Sequence, residues 1–218
     1  MRSYQKKFIE FLIQHQALQF GAFTLKSGRK SPYFFNSGVF YTGQSLLQLG
    51  KFYAATLETS GMHYDILFGP AYKGIPLVVT TAIALSEQYQ KEVAYCFNRK
   101  ETKQYGDGGA FVGAPLQGHV VMLDDVITAG TTVRDTIALL KNTEATLSGI
   151  IIAFDRQERG QGNVSAVQET VKTLGIPVQS IVTLSDVVQY LSTHQELKMH
   201  LQAIKQYHAQ YGAILKIE

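Results

Sequence analysis

The sequence has little that would place it in an oxidising compartment or a membrane. Its 218 residues contain one cysteine, Cys96, which cannot form an intrachain disulfide, a Cys-rich zinc site or an iron–sulfur cluster. The longest apolar run, residues 75–85, is about half the length that a membrane helix needs. The residues after Lys6 and Lys7 lack the apolar stretch of an export signal. We therefore expect a cytoplasmic protein with no membrane partner.

Charge is also sparse, and neither sign dominates strongly. Charged residues make up 17% of the chain and the formal net charge is +3. This small excess allows an anionic ligand but falls short of the concentrated basic surface that nucleic-acid binding usually needs. Apolar residues make up 45%, which excludes a disordered chain. We expect residues 1–218 to form a single globular domain that binds no nucleic acid.

Strand-length and helix-length segments alternate through the middle of the chain. Strands are predicted at residues 64–68, 93–97, 119–123, 149–154 and 178–184, and helices at 75–90, 132–143 and 165–174. Further helices are predicted at residues 3–18, 45–60, 186–193 and 195–211, and short strands and turns at 20–41. This order predicts an α/β fold: a doubly wound parallel sheet with helices on both faces and a small N-terminal hood at about residues 1–42. Such sheets bind ligands at the C-terminal ends of their strands.

The most informative segment is the thirteen-residue string at residues 120–132. Four apolar residues precede Asp124 and Asp125, and a Thr-Ala-Gly-Thr-Thr turn then opens a helix. Free backbone N–H groups at a helix N-terminus suit a phosphate dianion. Two carboxylates beside a phosphate need another partner, such as sugar hydroxyls or a magnesium ion carried by the ligand. Alternatively, Thr128 and Thr131 cap the helix while the two acids lie in a solvated turn, although the complete string favours the phosphate site.

This string resembles the phosphoribosyl-diphosphate (PRPP) signature of the type I phosphoribosyltransferases. Five further segments match that family in order, at residues 24–36, 69–75, 99–103, 106–109 and 154–160. The segment around Lys26 and the Asp-Arg-Gln-Glu-Arg-Gly string at 155–160 resemble the orotate-specific members. The resemblance implies a pentosyltransferase that converts PRPP and orotate to orotidine 5′-monophosphate and pyrophosphate in UMP synthesis, with Mg²⁺ as the cofactor. It also implies a homodimer whose active sites are shared between subunits.

The resemblance also implies which residues form the site. Those that would contact PRPP are Lys26, Tyr72, Lys73, Arg99, Lys100, Lys103, Tyr105, Asp124, Asp125, Val126, Ile127, Thr128, Ala129, Gly130, Thr131 and Thr132. Catalytic roles among them would belong to Lys26, Lys73, Lys100, Lys103, Asp124 and Asp125. Orotate would contact Phe34, Phe35, Thr128 and Arg156. No protein metal ligand is implied, because PRPP would carry most of the Mg²⁺ coordination with Asp124 and Asp125 nearby.

Residues 99–109 are predicted to form a mobile surface loop, because they hold three cations, two acids and three glycines but no aliphatic anchor. Charge alone would also fit a solvated hairpin. The resemblance implies a lid that closes over the partner subunit's site and brings Lys100 and Lys103 to the pyrophosphate. Tyr105 stands where the family usually has histidine, and a neutral phenol cannot supply an imidazolium charge. Stabilisation of the leaving group is then expected to depend more on Lys103.

The orotate end permits several interpretations. Flat faces such as those of Phe34 and Phe35 suit a pyrimidine ring, and the Arg156 guanidinium suits the carboxylate of orotate. Taken singly, two phenylalanines are more often core residues and an Asp-Arg pair is more often a surface ion pair. The alternatives for the whole chain are a phosphoribosyltransferase for another base, a regulator that senses PRPP, and a structural α/β domain. The sequence lacks P-loop, dinucleotide, zinc-peptidase and α/β-hydrolase motifs, and its six histidines are scattered.

Overall fold

The computed structural model describes residues 1–25, 28–103, 109–160 and 162–213. The helices are α1 (Ser3–Gln14), α2 (Gly43–Ser60), α3 (Gly74–Tyr89), α4 (Thr131–Leu140), α5 (Ala166–Leu174), α6 (Leu184–Thr193) and α7 (Lys198–Tyr211). The strands are β1 (Leu18–Thr24), β2 (Lys30–Phe35), β3 (Ile66–Gly69), β4 (Ala94–Lys103), β5 (Gly109–Gly113), β6 (Gln117–Asp124), β7 (Glu144–Asp155) and β8 (Val178–Thr183). Single 3₁₀ turns lie at Ser37–Val39 and Gln195–Leu197.

A six-stranded sheet in the order β5-β4-β3-β6-β7-β8 forms the centre of the molecule. All neighbouring pairs are parallel except β4 and β5. The chain builds outward from β3 in one direction to β4 and then in the other from β6 to β8, so the strand order reverses between β3 and β6. Crevices at such a reversal, beyond the carboxyl ends of the strands, are where open α/β sheets bind ligands. The predicted α/β class is confirmed, with one antiparallel edge strand, β5, that the sequence did not indicate.

Helices cover both faces of the sheet because its strands are apolar on both sides. Val121 and Leu123 of β6 belong to a core shared with α1, α2, α3 and α6, whereas Val120 and Met122 belong to a second core shared with α4 and α5. Successive strand residues point to opposite faces, so one continuous apolar run supplies both cores. No helix in the described ranges is long and apolar enough to cross a bilayer.

The N-terminal part of the chain contributes an antiparallel pair, β1 with β2, as the predicted short strands and turns require. Tyr33 of β2 is fully buried, and its ring meets those of Phe154 at 6.1 Å and Tyr207 at 6.0 Å between centroids. These contacts hold the hairpin against the carboxyl end of β7 and the last helix. The first helix is part of the main core, where Phe8 and Ile9 are completely buried.

The prediction of a loop from residue 99 to residue 109 is wrong at both ends. β4 continues to Lys103 and β5 begins at Gly109, and the two strands pair from Cys96 opposite Gly113 to Lys103 opposite Gly109. Beyond Phe97, β4 has no partner in β3, whose last residue, Gly69, lies opposite it. This two-stranded ribbon extends past the core, so it needs no aliphatic anchor. The alternative interpretation of the charged residues, a solvated hairpin, describes this part of the chain better.

Candidate active site

Two buried carboxylates lie where β6 ends, beside the point at which the strand order reverses. Asp124 is 8% exposed and Asp125 6%. The Lys73 ammonium lies 2.6 Å from Oδ2 of Asp125, and the Ser37 hydroxyl donates a hydrogen bond to the same oxygen. The Tyr53 hydroxyl donates to the main-chain oxygen of Asp124 at 2.7 Å. The end of β6 is thus joined to α2, to the turn before α3 and to the segment after β2.

The two carboxylates differ in their surroundings. Burial, and then the neighbouring Asp125 charge, raise the pKa of Asp124 to about 7, against a smaller opposing effect of Lys73. The side chain of Asp124 accepts a hydrogen bond from the backbone N–H of Asp125 at 2.8 Å, whereas Asp125 has the ammonium and hydroxyl as partners. Burial also holds the pKa of Tyr53 well above its usual range. Near neutral pH the Asp124–Asp125 pair therefore carries less than two full negative charges.

The turn between β6 and α4 has the form of an anion site. Gly130 precedes α4 with φ of 65°, a left-handed conformation that favours glycine, and no side chain caps the helix N-terminus. A cavity of about 60 Å³ is lined by Asp124 and residues 126–133. Arg134 donates a hydrogen bond to the main-chain oxygen of Ala129 at 2.8 Å, which fixes the turn from the helix side. The alternative in which Thr128 and Thr131 cap this helix is not what the structure shows.

A second turn, at residues 69–74, faces the same crevice from the end of β3. A Cβ on Gly69 would lie 2.2 Å from the main-chain oxygen of Gly74, so the two glycines allow the turn to close tightly. The Asn98 side chain accepts a hydrogen bond from Ala71 N–H at 2.8 Å, and the Ala71–Tyr72 peptide bond is cis. Tyr72 is 70% exposed. The turn therefore presents Tyr72 and Lys73 together at the crevice.

The two-stranded ribbon of β4 and β5 contacts the turn at residues 69–74. The Lys100 ammonium lies 5.8 Å from the centre of the Tyr72 ring. Arg99 donates a hydrogen bond to the main-chain oxygen of Phe111 at 3.0 Å, across the ribbon to β5. Lys26, Tyr105 and the side chain of Lys103 lie outside the described residues, so these three predictions remain predictions.

The expected orotate contacts lie where β2 meets the end of β7. Phe35 packs on Phe154 with 5.4 Å between ring centroids, whereas Phe34 stacks on Phe23 at 5.5 Å and is 36% exposed. Adjacent strand residues point to opposite faces, so the two rings cannot stack on one pyrimidine together. Any joint role of Phe34 and Phe35 must involve their backbone groups.

Arg156 is held by an acid that sequence reasoning missed. Its Nε and Nη2 donate hydrogen bonds to Glu158 at 2.9 and 2.6 Å, and its guanidinium lies 4.8 Å from the centre of the Tyr33 ring. The Tyr33 hydroxyl donates to the same Glu158 oxygen at 2.6 Å. Burial, which outweighs the effect of Arg156, raises the pKa of Tyr33 far above its usual range. Glu158 therefore joins the hairpin to the residue expected to bind the orotate carboxylate.

Sequence reasoning also missed Ser37, Tyr53 and Asn98. Ser37 and Asn98 directly follow or precede matched segments, which was the available signal. Tyr53 lies inside an apolar helix face and gave no signal that would separate it from a core residue. Ser37 and Tyr53 each bond to one of the two aspartates, and Asn98 bonds to Ala71 beside Tyr72.

Comparisons with known proteins agree with this geometry. The sequence profile of the phosphoribosyl transferase domain matches residues 38–183. An orotate phosphoribosyltransferase from Photorhabdus laumondii is 56% identical over 212 residues, which cover 97% of this chain and all of the relative. One from Pseudomonas syringae is 54% identical over the same share of both chains. The chain belongs to the orotate phosphoribosyltransferases.

A solved structure supports the same assignment. The orotate phosphoribosyltransferase of Francisella tularensis superposes with a TM-score of 0.87 at 40% identity, covering 95% of this chain and all of the other. The predicted resemblance is therefore confirmed, as is the type I phosphoribosyltransferase fold. The interpretation as a structural α/β domain without such a site is wrong.

Proposed function

We propose that this orotate phosphoribosyltransferase transfers the 5-phosphoribosyl group of PRPP to N1 of orotate. The C1–oxygen bond to pyrophosphate breaks and its electron pair leaves with pyrophosphate, while N1 of orotate bonds to C1 and gives up its proton to solvent. One observation carries the proposal: the buried Asp124–Asp125 pair lies between Lys73 on one side and the uncapped start of α4 on the other. This order, cation, carboxylates and anion-binding turn, matches pyrophosphate, ribose and 5′-phosphate in PRPP.

The two carboxylates bind the ribose of PRPP. As pyrophosphate departs, positive charge develops on the ribose ring, and Asp124 and Asp125 lie on the side where that charge forms while holding the ribose hydroxyls. The turn at residues 128–132 binds the 5′-phosphate through backbone N–H groups and hydroxyls. No covalent nucleophile is required.

The lysine side chains bind the leaving group, pyrophosphate. Lys73 follows Tyr72 in the turn at residues 69–74, Lys100 lies against the Tyr72 ring, and Lys103 is farther along the same ribbon. Their charges stabilise the departing pyrophosphate. Tyr105 donates at most a hydrogen bond there, so Lys103 carries more of this role than it would beside a histidine. We also propose that Lys26 contacts PRPP.

Orotate lies between β2 and the end of β7. Backbone groups of Phe34 and Phe35 face the pyrimidine edge, Thr128 contacts it from the phosphate turn, and Arg156 pairs with its carboxylate. Glu158 already takes two guanidinium N–H groups, which fixes the plane that Arg156 presents.

The donor set of the site fits Mg²⁺. Oxygen ligands are those that this hard cation prefers, and the Asp124 and Asp125 carboxylates are both at the strand end. Mg²⁺ carried by PRPP would offset phosphate charge beside them. We also propose that the protein is a cytoplasmic homodimer with shared active sites. The ribbon of β4 and β5 then contributes residues to the partner's site. The single, buried thiol of Cys96 is consistent with a reducing compartment.

The test is the loss of orotate absorbance with purified protein, PRPP and Mg²⁺, run beside uracil, adenine and hypoxanthine and beside a reaction without magnesium. Magnesium-dependent consumption of orotate alone is the expected result. Consumption of another base would reassign the base pocket. Binding of PRPP without turnover of any base would make the chain a sensor.

A further inference from the structure

Two histidines and one aspartate meet at the amino-terminal edge of the central sheet, opposite the reaction centre. His63 and Asp65 lie in the connection from α2 to β3, and His119 is near the start of β6. One potential ligand atom from each lies within 4.8 Å of the others, and all three residues are exposed. The His63 and His119 ring centroids are 4.6 Å apart, and His119 Nδ1 lies 3.3 Å from Asp65 Oδ2.

The backbone around these side chains is fixed. Asp65 N–H donates to the main-chain oxygen of His119 at 2.8 Å, and His119 N–H donates to the Asp65 carboxylate at 2.7 Å. The Ser148 hydroxyl lies 2.9 Å from the main-chain oxygen of His63. Gly118 has φ of +69°, and a Cβ there would lie 2.4 Å from the Asp65 carboxylate. Glycine at this position therefore makes room for the carboxylate beside His119.

The donor set is that of a transition-metal ion. Imidazole nitrogens and a carboxylate oxygen bind Zn²⁺ and similar divalent ions, and three protein ligands leave a position for water. Bonds of about 2.0–2.1 Å in tetrahedral geometry separate ligand atoms by about 3.3 Å. The distance between His119 Nδ1 and Asp65 Oδ2 already has this value. A ring nitrogen of the exposed His63 lies within 4.8 Å of the other two ligand atoms.

We propose that His63, Asp65 and His119 form a binding site for a divalent transition-metal ion such as Zn²⁺. It differs in chemistry from the carboxylate pair, because Mg²⁺ prefers oxygen ligands alone. It also differs in place, since five residues of extended strand, about 16 Å, separate His119 from Asp124.

A bound ion would join the α2–β3 connection to the start of β6. An ion that binds the folded chain more tightly than the unfolded chain stabilises the fold. Occupancy of this site therefore raises thermal stability without entering the transfer reaction.

The test uses the full chain without an affinity tag, stripped with EDTA and titrated with Zn²⁺ by calorimetry. The wild type is expected to bind one Zn²⁺ that His63→Gln and His119→Gln lose or bind at least tenfold more weakly. Co²⁺ should give visible absorption bands in the wild type that both variants lack. His194→Gln removes an imidazole elsewhere and should leave this binding unchanged, as should Asp125→Asn at the reaction centre.

Two results would overturn the proposal. One is Zn²⁺ binding of equal stoichiometry and affinity in the wild type, His63→Gln and His119→Gln. The other is a wild type that binds no Zn²⁺ beyond the amount lost in Asp125→Asn, which would make the cluster a hydrogen-bonded surface feature only. Circular dichroism and melting in EDTA show whether His63→Gln and His119→Gln keep the wild-type fold, and the orotate turnover of these two variants in Mg²⁺ should equal that of the wild type.

Discussion

Asp125 is the residue at which most of the proposed chemistry converges. It is almost completely buried, yet one of its oxygens receives both the Lys73 ammonium and the Ser37 hydroxyl. These two donors hold the carboxylate at the place where positive charge is expected to develop on the ribose. Its neighbour Asp124 lacks those partners and holds a proton more readily.

Asp125→Asn should lower kcat/KM for orotate by about 100-fold or more, because the isosteric amide removes the charge that faces the ribose. The free energy of unfolding should change by no more than about 1 kcal/mol, since the Lys73 side chain is 60% exposed and its ion pair is screened. Orotate absorbance and urea unfolding measure the two effects. Asp135→Asn, on the exposed side of α4, is the matched control. Equal turnover in both variants would remove Asp125 from the mechanism.

Asp124 should make stability depend on pH. Its pKa is about 7 in the folded chain and near 3.8 without its surroundings, so the folded state binds more protons between these values. The contribution of Asp124 to the free energy of unfolding should therefore be highest below pH 4. It should fall by up to about 4 kcal/mol as the pH rises towards 7. Urea unfolding of the wild type and Asp124→Asn across pH 4.5–7.5 tests this. The difference between the two should shrink or reverse with pH, and parallel curves would refute the shifted pKa.

At the scale of elements, the β1–β2 hairpin depends on one acid for its link to the end of β7. Glu158 accepts hydrogen bonds from Tyr33 and Arg156, and Arg29 lies 4.0 Å from its other oxygen. This arrangement places a buried negative charge among two guanidinium groups and a phenol. The orientation of Arg156 is therefore coupled to the seating of the hairpin.

Glu158→Gln should raise the KM for orotate by about tenfold while leaving the KM for PRPP near its wild-type value. The amide keeps the shape but weakens the charged hydrogen bonds that orient Arg156. Steady-state kinetics with each substrate varied in turn separates the two constants. Glu169→Gln on exposed α5 is the control. An equal rise in both constants would indicate general loosening of the site.

The sequence predicted most elements because each buried strand is a continuous apolar run and each helix has its own period. It failed for β5 and the outer half of β4, since Arg99 and Lys100 lie on a solvated ribbon whose pairing comes from backbone hydrogen bonds. In the site, local motifs predicted Asp124, Asp125 and the phosphate turn. Ser37, Tyr53 and Glu158 form hydrogen bonds with residues that are 88, 71 and 125 positions away in the sequence. No local pattern reveals such contacts.

For the whole molecule, the central question is whether one chain completes its own site. We propose that the β4–β5 ribbon carries Lys103 to the pyrophosphate end of the partner's site. Exposed Tyr72 and Lys100 lie near the base of that ribbon, at the crevice. A two-fold dimer would then contain two sites, each built from both subunits.

Lys103→Ala and Asp125→Asn should each be nearly inactive alone, and mixing them should restore activity. After equal mixing and subunit exchange, half of the dimers are mixed and each has one intact site, so about a quarter of wild-type activity is expected. Turnover before and after exchange measures the recovery. Lys141→Ala mixed with Asp125→Asn controls for dilution. Activity that never exceeds the sum of the separate variants would mean that each chain uses its own lysine.

The contact between Lys73 and Asp125 also makes substrate binding an exchange of partners. At 2.6 Å the ammonium already donates to the carboxylate, so in the proposed complex pyrophosphate competes with Asp125 for this lysine. The affinity of this lysine for PRPP is then set by the difference between two competing anions. Such a site gives up some binding strength and gains ready release of the spent pyrophosphate, because the displaced carboxylate remains beside the lysine to reclaim it.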